Sequence, residues 1–463
     1  MKLDIFNHSN LRERLRELNE QSKKKIIVLD DDPTGVQTVQ DIEVLTEWDV
    51  DLLREAFRQP QTVFYILTNT RSYVAEETER INREIARNVV QVAKEEKTDF
   101  EFISRSDSTL RGHYPLETDV LADEVLIHTG RMYDGHIIIP AFFEGGRVTI
   151  NNIHYVKDGE KQIPANETEF AKDPAFGFTD AHLGQWVEEK SEGRYRESDC
   201  VYISLEQLQK GPDILEGILT EITGNKPVIV NATCYEDLDR LSLALKMAEE
   251  KGKRFLFRTA ASFVKSYGGI SQQPFLSKES MLSPGTESHG GLIVVGSHVQ
   301  KTTRQLQALL DSKWVLPVEL DVEKILNPLE RGLEVERLID QVNEQIKEGR
   351  DTVLYSSRKL ITAARKEDNL SISQKVSTAL TDIVQALQIA PKFIIAKGGI
   401  TSSDVATKGL SIRKAKILGQ AAAGIPVWLT GEEAKFPNVP YIVFPGNVGT
   451  DQTLKEIVQT LSV

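Results

Sequence analysis

Three consecutive carboxylates stand where a buried segment of the chain ends. Asp30, Asp31 and Asp32 follow the apolar run 26–29, and the Pro-Thr-Gly segment 33–35 comes directly after them. The apolar run predicts a buried strand, and proline and glycine predict a turn. Adjacent carboxylates repel one another and resist burial, which favours a site that holds a ligand, a cation or a cationic side chain. The alternative is a solvated turn in which one aspartate caps a helix.

A second polar loop carries two arginines among small and acidic residues. It follows another predicted strand and holds Arg105, Asp107, Ser108 and Arg111 close together. Guanidinium groups match the geometry of a carboxylate or a phosphate, so this composition predicts an anion site. The alternative is a surface loop with internal Arg–Asp pairs. A third polar turn, which contains Arg147, follows a predicted strand in the same half of the chain.

Glycine, serine and threonine are concentrated in three turns of the second half of the chain. Each turn lies between a predicted strand and a predicted helix, and the strands are predicted at 292–295, 393–396 and 441–444. If these strands are parallel, the three turns meet at one edge of one sheet. Glycines let a phosphate approach the backbone, and helix N-termini offer free N–H groups. The three turns together therefore favour a nucleotide phosphate site, although none matches the P-loop or the dinucleotide fingerprint.

The elements that position these residues alternate between strands and helices. This alternation predicts an α/β fold with two domains, each with a mainly parallel sheet flanked by helices. Residues 271–290 are rich in serine, proline and glycine, so they are predicted as a linker between domains 1–270 and 291–463. Residues 151–195 show little periodicity, and we predict an irregular excursion that could cover a site.

Composition restricts the class of partner. The 463 residues include 40% hydrophobic and 27% charged residues, as in ordinary soluble proteins, and carry a net charge of −13. This acidic balance argues against nucleic acid or an anionic membrane as partner. Cys200 and Cys234 support neither a disulfide framework nor a zinc site. The charged N-terminus lacks a signal-peptide pattern and no apolar run has the length of a membrane span, so we expect a cytoplasmic protein.

The motifs together resemble the four-carbon acid sugar kinase family over nearly the whole chain. The family pattern A-D-D-x-T-G is similar to residues 30–35, and K-R-x-D-S-T-L-R-G is similar to residues 104–112. Segments 140–147 and 258–263 resemble further family motifs. The chain departs from the family in four places. Asp30 replaces an alanine, Pro33 and the segment 36–40 replace a continuation of small residues, Val299 lacks a hydroxyl, and Ile400 lacks a carboxylate.

The resemblance implies an ATP-dependent kinase that phosphorylates a hydroxyl of a small, four-carbon sugar acid. It implies that the first domain holds the acid, that the second holds the nucleotide, and that the active site lies in the interdomain cleft. Asp31 and Asp32 would be catalytic, and Mg²⁺ would bridge the ATP phosphates with few protein ligands. A sugar acid and ATP are the expected partners. Apart from the resemblance, a homodimer is a further expectation. The implied acid-binding residues are Arg105, Asp107, Ser108, Arg111 and Arg147, and the implied nucleotide-binding residues are Ser297, Thr302, Lys397, Gly398, Gly399, Thr401, Gly446, Asn447 and Gly449.

Two other functions remain open at this stage. Asp30, Asp32 and Thr34 have the spacing of the first motif of haloacid dehalogenase-type phosphatases, with Asp30 as nucleophile. However, no later acidic motif that would hold Mg²⁺ follows, and the second half of the chain would have no role. A non-catalytic sugar-acid-binding protein with the same fold is the second alternative, and it would show no ATP turnover.

Overall fold

The computed structural model describes residues 8–282, 288–358, 366–446 and 448–462. The chain divides into two compact units, Met1–Gln272 and Gln273–Val463. Both units are α/β, with a mainly parallel sheet flanked by helices, so the predicted fold class is confirmed. Asn447 and residues 283–287 of the predicted linker lie outside the described residues.

The first unit is built on a parallel sheet. Its strands are β1 Lys25–Asp30, β2 Ile42–Leu45, β3 Val63–Leu67, β4 Phe100–Arg105, β5 Gly135–Ile139, β9 Val201–Ile203, β10 Lys226–Val230 and β11 Phe255–Thr259. They lie in the order β2-β3-β1-β4-β11-β5-β10-β9, and their pairings are parallel. The central strands are buried along their whole length, which is why β1 and β3 contain continuous apolar runs.

Helices connect these strands. They are α1 His8–Ser22, α2 Val50–Arg58, α3 Ala75–Glu96, α4 Leu116–Thr129, α5 Leu183–Lys190, α6 Leu205–Gln209, α7 Pro212–Thr220, α8 Tyr235–Glu250 and α9 Ala261–Tyr267. Among them, α2 and α6 begin at a side-chain cap. The Asp49 side chain accepts from the backbone N–H of Leu52 at the start of α2. Gly211 has a φ of +101° and separates α6 from α7, which begins at Pro212.

The excursion at 151–195 is more regular than its sequence indicates. It contributes to an antiparallel sheet of β6 Arg147–Ile150, β7 Ile153–Asp158 and β8 Lys161–Pro164, so the expectation of an irregular segment is wrong for this part. Asn151 and Asn152 have φ values of +50° and +66° and form the tight turn between β6 and β7. These strands are only partly buried, which explains their weak hydrophobic alternation.

The second unit contains a mixed sheet. Its strands are β12 Leu292–Val295, β13 Leu316–Leu320, β14 Thr352–Ser356, β15 Ile394–Lys397, β16 Lys414–Ala422, β17 Ile425–Thr430 and β18 Pro440–Phe444, in the order β13-β14-β12-β15-β18-β17-β16. The first five strands of this order are parallel, and β17 and β16 are antiparallel. The strands β13, β16 and β17 were not predicted from the sequence. The parallel arrangement expected for the strands before the three glycine-rich turns is confirmed, because β12, β15 and β18 are parallel neighbours.

The helices of the second unit follow the same alternation with its strands. They are α10 Lys278–Met281, α11 Gln300–Asp311, α12 Val322–Leu326, α13 Arg331–Lys347, α14 Lys366–Gln385, α15 Gly399–Asp404 and α16 Thr453–Ser462. Each unit has its own apolar core, centred on residues such as Phe102 in the first and Phe444 in the second. Among the described residues, no helix combines the length and the apolar character needed to cross a membrane.

Candidate functional site

The carboxyl ends of four neighbouring strands place the polar loops of the first unit side by side. Asp30 at the end of β1 is in register with Leu67 of β3 and with Arg105 of β4, and Arg105 is in register with Thr259 of β11. The loops that follow these strands therefore meet at one edge. This is the position at which parallel α/β sheets bind ligands.

The three aspartates surround two arginines at this edge. Arg105 Nη1 lies 3.0 Å from Asp30 Oδ1 and 3.5 Å from Asp31 Oδ1. Arg71 forms an ion pair with Asp32, and its Nη1 lies 3.8 Å from Asp31 Oδ1. An extended chain would point Asp31 away from its two neighbours, but β1 ends at Asp30 and the chain turns. Asp31 therefore shares an arginine with each neighbouring aspartate.

Asp31 is the one of the three aspartates whose carboxylate has no hydrogen-bond partner. It is 2% exposed, and neither of its side-chain oxygens has a hydrogen-bond partner. Burial raises the pKa of Asp31 to about 6, against the lowering effect of Arg71 and Arg105. Burial also acts to raise the pKa of Asp32, but Arg71 and Thr34 outweigh it and hold this pKa below its usual range. A buried carboxylate of this kind is suited to accept a proton near neutral pH.

The predicted anion-binding arginines differ in how far their charge is already balanced. Arg105 is buried against Asp30 and Asp31, while Arg111 Nε donates to Asp107 Oδ2 at 2.8 Å. Arg147 is different, because none of the described residues forms an ion pair with it. Its Nε, like that of Arg105, is buried without a hydrogen-bond partner. Burial lowers the pKa of Arg147, as expected for a cation without a counter-ion.

The remaining predicted residues of this loop lie beside the same cluster. Asp107 Oδ1 lies 3.3 Å from Arg71 Nη1, so it joins the ion-pair network. The carbonyl of Ser108 accepts a hydrogen bond of 2.8 Å from Nε2 of buried His154 in β7. The segment 151–195 thereby holds the loop of Arg105 and Arg111 in place, which gives this segment a structural role at the edge of the sheet.

Two glycines are required where the backbone approaches the aspartates. A Cβ at Gly35 would lie 2.0 Å from Asp30 Oδ2, which leaves no room for a larger residue. Gly112 has a φ of +120°, and a Cβ there would lie 2.8 Å from Arg258 Nη2 and 3.2 Å from Asp31 Oδ2. Close packing around the carboxylates thus explains the glycines that end the segments 30–35 and 104–112.

Three members of this cluster were not predicted as site residues. Arg71 follows β3, whereas Arg258 lies in β11 and Glu117 in α4. Arg258 Nη1 lies 2.6 Å from Glu117 Oε2, and both side chains are buried. Arg71 was visible in the sequence as a cation directly after a strand. Its proximity to Asp31 and Asp32 could be recognised only once β3 was known to lie beside β1.

The three glycine-rich turns of the second unit converge. The backbone N–H of Gly398 donates to the carbonyl of Phe444 at 2.9 Å, and Thr302 Oγ1 donates to the carbonyl of Gly446 at 3.0 Å. A Cβ at Gly398 would lie 3.0 Å from Cβ of Ser297. The predicted nucleotide-binding residues of the three turns are therefore neighbours.

The other predicted residues of these turns lie in the same region. Thr401 borders the first turn, since its Oγ1 would lie 2.5 Å from a Cβ at Gly296. Gly399 is the first residue of α15. Gly449 has a φ of +80° and packs against Thr453 at the start of α16.

Lys397 places an unbalanced cation beside these turns. Its side chain is fully buried, and its Nζ donates to the carbonyl of Pro445 at 3.0 Å. Nζ also lies 3.8 Å from the centre of the Phe444 ring. None of the described residues forms an ion pair with Lys397, and burial lowers its pKa to about 7. A phosphate is the kind of ligand that would compensate this charge.

The described residues provide no protein cage for a metal ion. Among them, no group of three histidine, cysteine, aspartate or glutamate side chains could hold one. Ile400 stands in the second turn where a carboxylate would be expected from the family motif. The residues do not fit a protein-held Mg²⁺, whereas an ion carried by nucleotide phosphates needs few protein ligands.

Comparison with known families matches both units. Residues 26–267 match the model described as a sugar-binding N-terminal domain, and residues 292–454 match the model described as a nucleotide-binding C-terminal domain. The fold and the two polar sites thus define a two-domain protein with one sugar-binding and one nucleotide-binding domain. The chain belongs to the four-carbon acid sugar kinase family, whose architecture pairs these domains.

Solved structures show the same fold at low sequence identity. A Salmonella typhimurium LT2 protein, provisionally named a tRNA synthase, is 18% identical with a TM-score of 0.68, over 93% of this chain and 98% of that chain. Haemophilus influenzae protein HI1011 is 18% identical with a TM-score of 0.64, over 94% of this chain and 100% of its own. Among curated proteins, none matches. At this level of identity the structural likeness concerns the fold alone.

Proposed function

We propose that the protein is an ATP-dependent kinase that phosphorylates a hydroxyl of a small, four-carbon sugar acid. The observation that carries this proposal is Asp31, a buried carboxylate without hydrogen-bond partners beside two arginines in the sugar-binding domain. A hydroxyl group of a bound sugar would supply the missing partner and give up its proton to this carboxylate.

Arg147 is the residue best suited to bind the carboxylate of the acid. Arg71, Arg105, Arg111 and Arg258 are each already paired with at least one carboxylate of the protein. Arg147 has no such partner among the described residues, so a substrate carboxylate would balance its charge. Asp107 and Ser108, in the neighbouring loop, are the groups proposed to bind sugar hydroxyls.

The nucleotide is proposed to bind at the three turns of the second domain. Lys397 and the glycine backbone at 398 and 446 would contact the phosphates, and bound Mg²⁺ would neutralise charge between them. Phosphoryl transfer depends on positioning and charge neutralisation more than on covalent chemistry by the protein. Asp32 holds Arg71 in place, and Asp31 accepts the proton of the attacking hydroxyl.

The proposal is tested by measuring ADP formation with a panel of four- and five-carbon sugar acids. We expect turnover only in the presence of an acid, with threonate, erythronate or a 3-oxo-tetronate preferred. Arg147→Gln should raise KM for the acid about tenfold or more and leave KM for ATP unchanged, because a charged hydrogen bond contributes about 1.5–3 kcal/mol. The exposed Arg80 on α3 provides the control Arg80→Gln, which should change neither constant.

Two results would contradict the kinase assignment. Release of phosphate from a sugar phosphate without ATP would indicate the phosphatase alternative. Binding of an acid without any turnover, in a protein that also binds ATP, would indicate a non-catalytic sugar-acid-binding protein.

A further inference from the structure

Arg358 lies beside the nucleotide turns although it belongs to none of them. It follows β14, and β14 pairs in parallel with β12, with Tyr355 in register with Val295. Residues 357 and 358, which directly follow β14, are therefore adjacent to the first glycine-rich turn. Arg358 Nη1 donates to the carbonyl of Ser297 at 2.7 Å, and His298 Nε2 donates to the carbonyl of Ser357 at 3.2 Å.

Neutral oxygens hold the guanidinium of Arg358 in one orientation. Its Nε and Nη2 donate to the carbonyl of Ser356 at 3.0 and 2.9 Å, and Nη2 also donates to the Ser356 hydroxyl at 2.8 Å. With Nη1 bound to Ser297, one of the five N–H groups of the side chain remains available, on Nη1. The orientation is thus set without any acidic group.

The positive charge of Arg358 has no counter-ion among the described residues. Tyr355 and Glu319 act weakly to raise the pKa of Arg358, and the Glu319 carboxylate accepts a hydrogen bond of 3.2 Å from the Tyr355 hydroxyl. Burial lowers the pKa of Arg358, although an arginine stays protonated in proteins. Across the same turns lies Lys397, also without an acidic partner, and the charge of Lys301 lowers the pKa of Lys397 further.

We propose that Arg358 is a phosphate-binding residue of the nucleotide site, which reaches it from directly after β14 at the same edge of the sheet. Its remaining Nη1 hydrogen donates to the phosphate chain, while the other hydrogens keep the Ser297 turn in place. Two cations without acidic partners on either side of the converging turns suit a ligand with several negative charges. This inference rests on the proposed function, since it assumes that the turns bind a nucleotide.

The test compares two arginines at opposite ends of one strand. Arg358→Gln removes the charge at the carboxyl end of β14, and Arg350→Gln removes an exposed arginine, paired with Glu348, before its amino end. Titration calorimetry of the full-length protein with ATP should show about 10- to 100-fold weaker binding for Arg358→Gln and no change for Arg350→Gln. Adenosine, measured by competition, should bind both variants within about twofold of wild type, because it carries no phosphate.

The outcomes separate this inference from the proposed function. The inference is overturned if a folded Arg358→Gln variant binds ATP as tightly as wild type does. It is also overturned if the variant loses as much affinity for adenosine as for ATP, because Arg358 would then only hold the turn. If Arg358→Gln does not fold, Arg358→Lys takes its place. For Arg358→Lys, weaker ATP binding at an unchanged unfolding temperature supports the inference. ATP binding by this variant at wild-type affinity overturns the inference. A wild-type protein that binds no ATP would overturn the nucleotide proposal as well.

Discussion

At the scale of single residues, burial and ion pairing divide three neighbouring aspartates. Burial raises the pKa of Asp30 to about 7, although Arg105 opposes this effect at 3.0 Å. Asp32 has its pKa lowered by Arg71, and Asp31 lies between them with a pKa of about 6 and no hydrogen-bond partner. Three residues of one type thus acquire different chemical properties from their contacts alone.

Exchange of each aspartate for asparagine should separate these roles. Asp31→Asn should lower kcat by about 10²-fold or more, because asparagine cannot accept the proton of the hydroxyl. In the wild type, kcat/KM should rise with pH through about 6, since Asp31 must lose its proton to act as base. Asp32→Asn should also lose activity, because it releases Arg71.

The matched control is Asp30→Asn, which alters an equally buried neighbour and should retain most activity. An inactive Asp30→Asn beside an active Asp31→Asn would contradict the assignment and favour Asp30 as a nucleophile.

Lys397 should couple nucleotide binding to proton uptake. Burial lowers its pKa to about 7, so at pH 8 the side chain is mostly neutral in the free protein. A bound phosphate favours the charged form and raises the pKa, so binding at pH 8 should take up close to one proton, and affinity should fall as pH rises above 7. Calorimetry in buffers of different ionisation enthalpy measures this uptake. Binding enthalpies that do not depend on the buffer, or unchanged uptake in Lys397→Met, would contradict it.

At the scale of elements, both sites lie at the same kind of position, the carboxyl ends of neighbouring parallel strands. In the first unit β3, β1, β4 and β11 deliver charged side chains, and in the second unit β12, β15 and β18 deliver backbone turns. The two chemistries differ because carboxylates and guanidinium groups recognise a small acid and its hydroxyls, whereas glycine turns admit a phosphate chain.

The approach of a phosphate to the backbone at Gly446 can be tested by adding a single methyl group. A Cβ at Gly446 would lie 3.4 Å from Ser297 Oγ and 3.8 Å from Thr302 Oγ1, which is ordinary contact, so Gly446→Ala should fold normally. The methyl group would nevertheless occupy the place where a phosphate approaches the backbone, and we expect ATP binding about tenfold weaker or more. Calorimetry measures the affinity, and thermal unfolding verifies the fold.

Gly332→Ala in α13 is the matched control, because a Cβ there meets nothing within 4 Å. If Gly446→Ala binds ATP as tightly as wild type does, the third turn does not approach the phosphates.

At the scale of the whole molecule, the net charge of −13 and the proposed anionic ligands are compatible. Long-range repulsion between exposed charges is largely screened beyond about 8 Å at physiological ionic strength. Buried cations such as Lys397 act at short range, in surroundings where screening is weak. An acidic surface around local cationic sites suits small anions and disfavours nucleic acid.

Much of the fold and many of the site residues could be predicted from local sequence. Apolar runs such as 26–29 indicated buried strands, and glycine, proline and aspartate marked their ends, because burial and backbone geometry act within a few residues. The strands before the three glycine-rich turns were predicted in this way, and their parallel pairing confirmed the prediction. The partly buried strands β6 to β8 were missed, because side chains shared between core and solvent leave little hydrophobic alternation.

Only the tertiary structure decided which charges balance one another. Arg105 and Arg147 look equivalent in the sequence, yet the first is enclosed by Asp30 and Asp31 and the second has no ion-pair partner among the described residues. The positions of Arg71 and Arg358 at the two sites follow from the strand orders β3-β1-β4 and β14-β12-β15, which local sequence does not reveal. Strand order results from packing between segments far apart in the chain, and electrostatic energies depend on distances of a few ångströms. Local sequence determines which groups are present at the end of each strand, and long-range packing determines which of them are brought together.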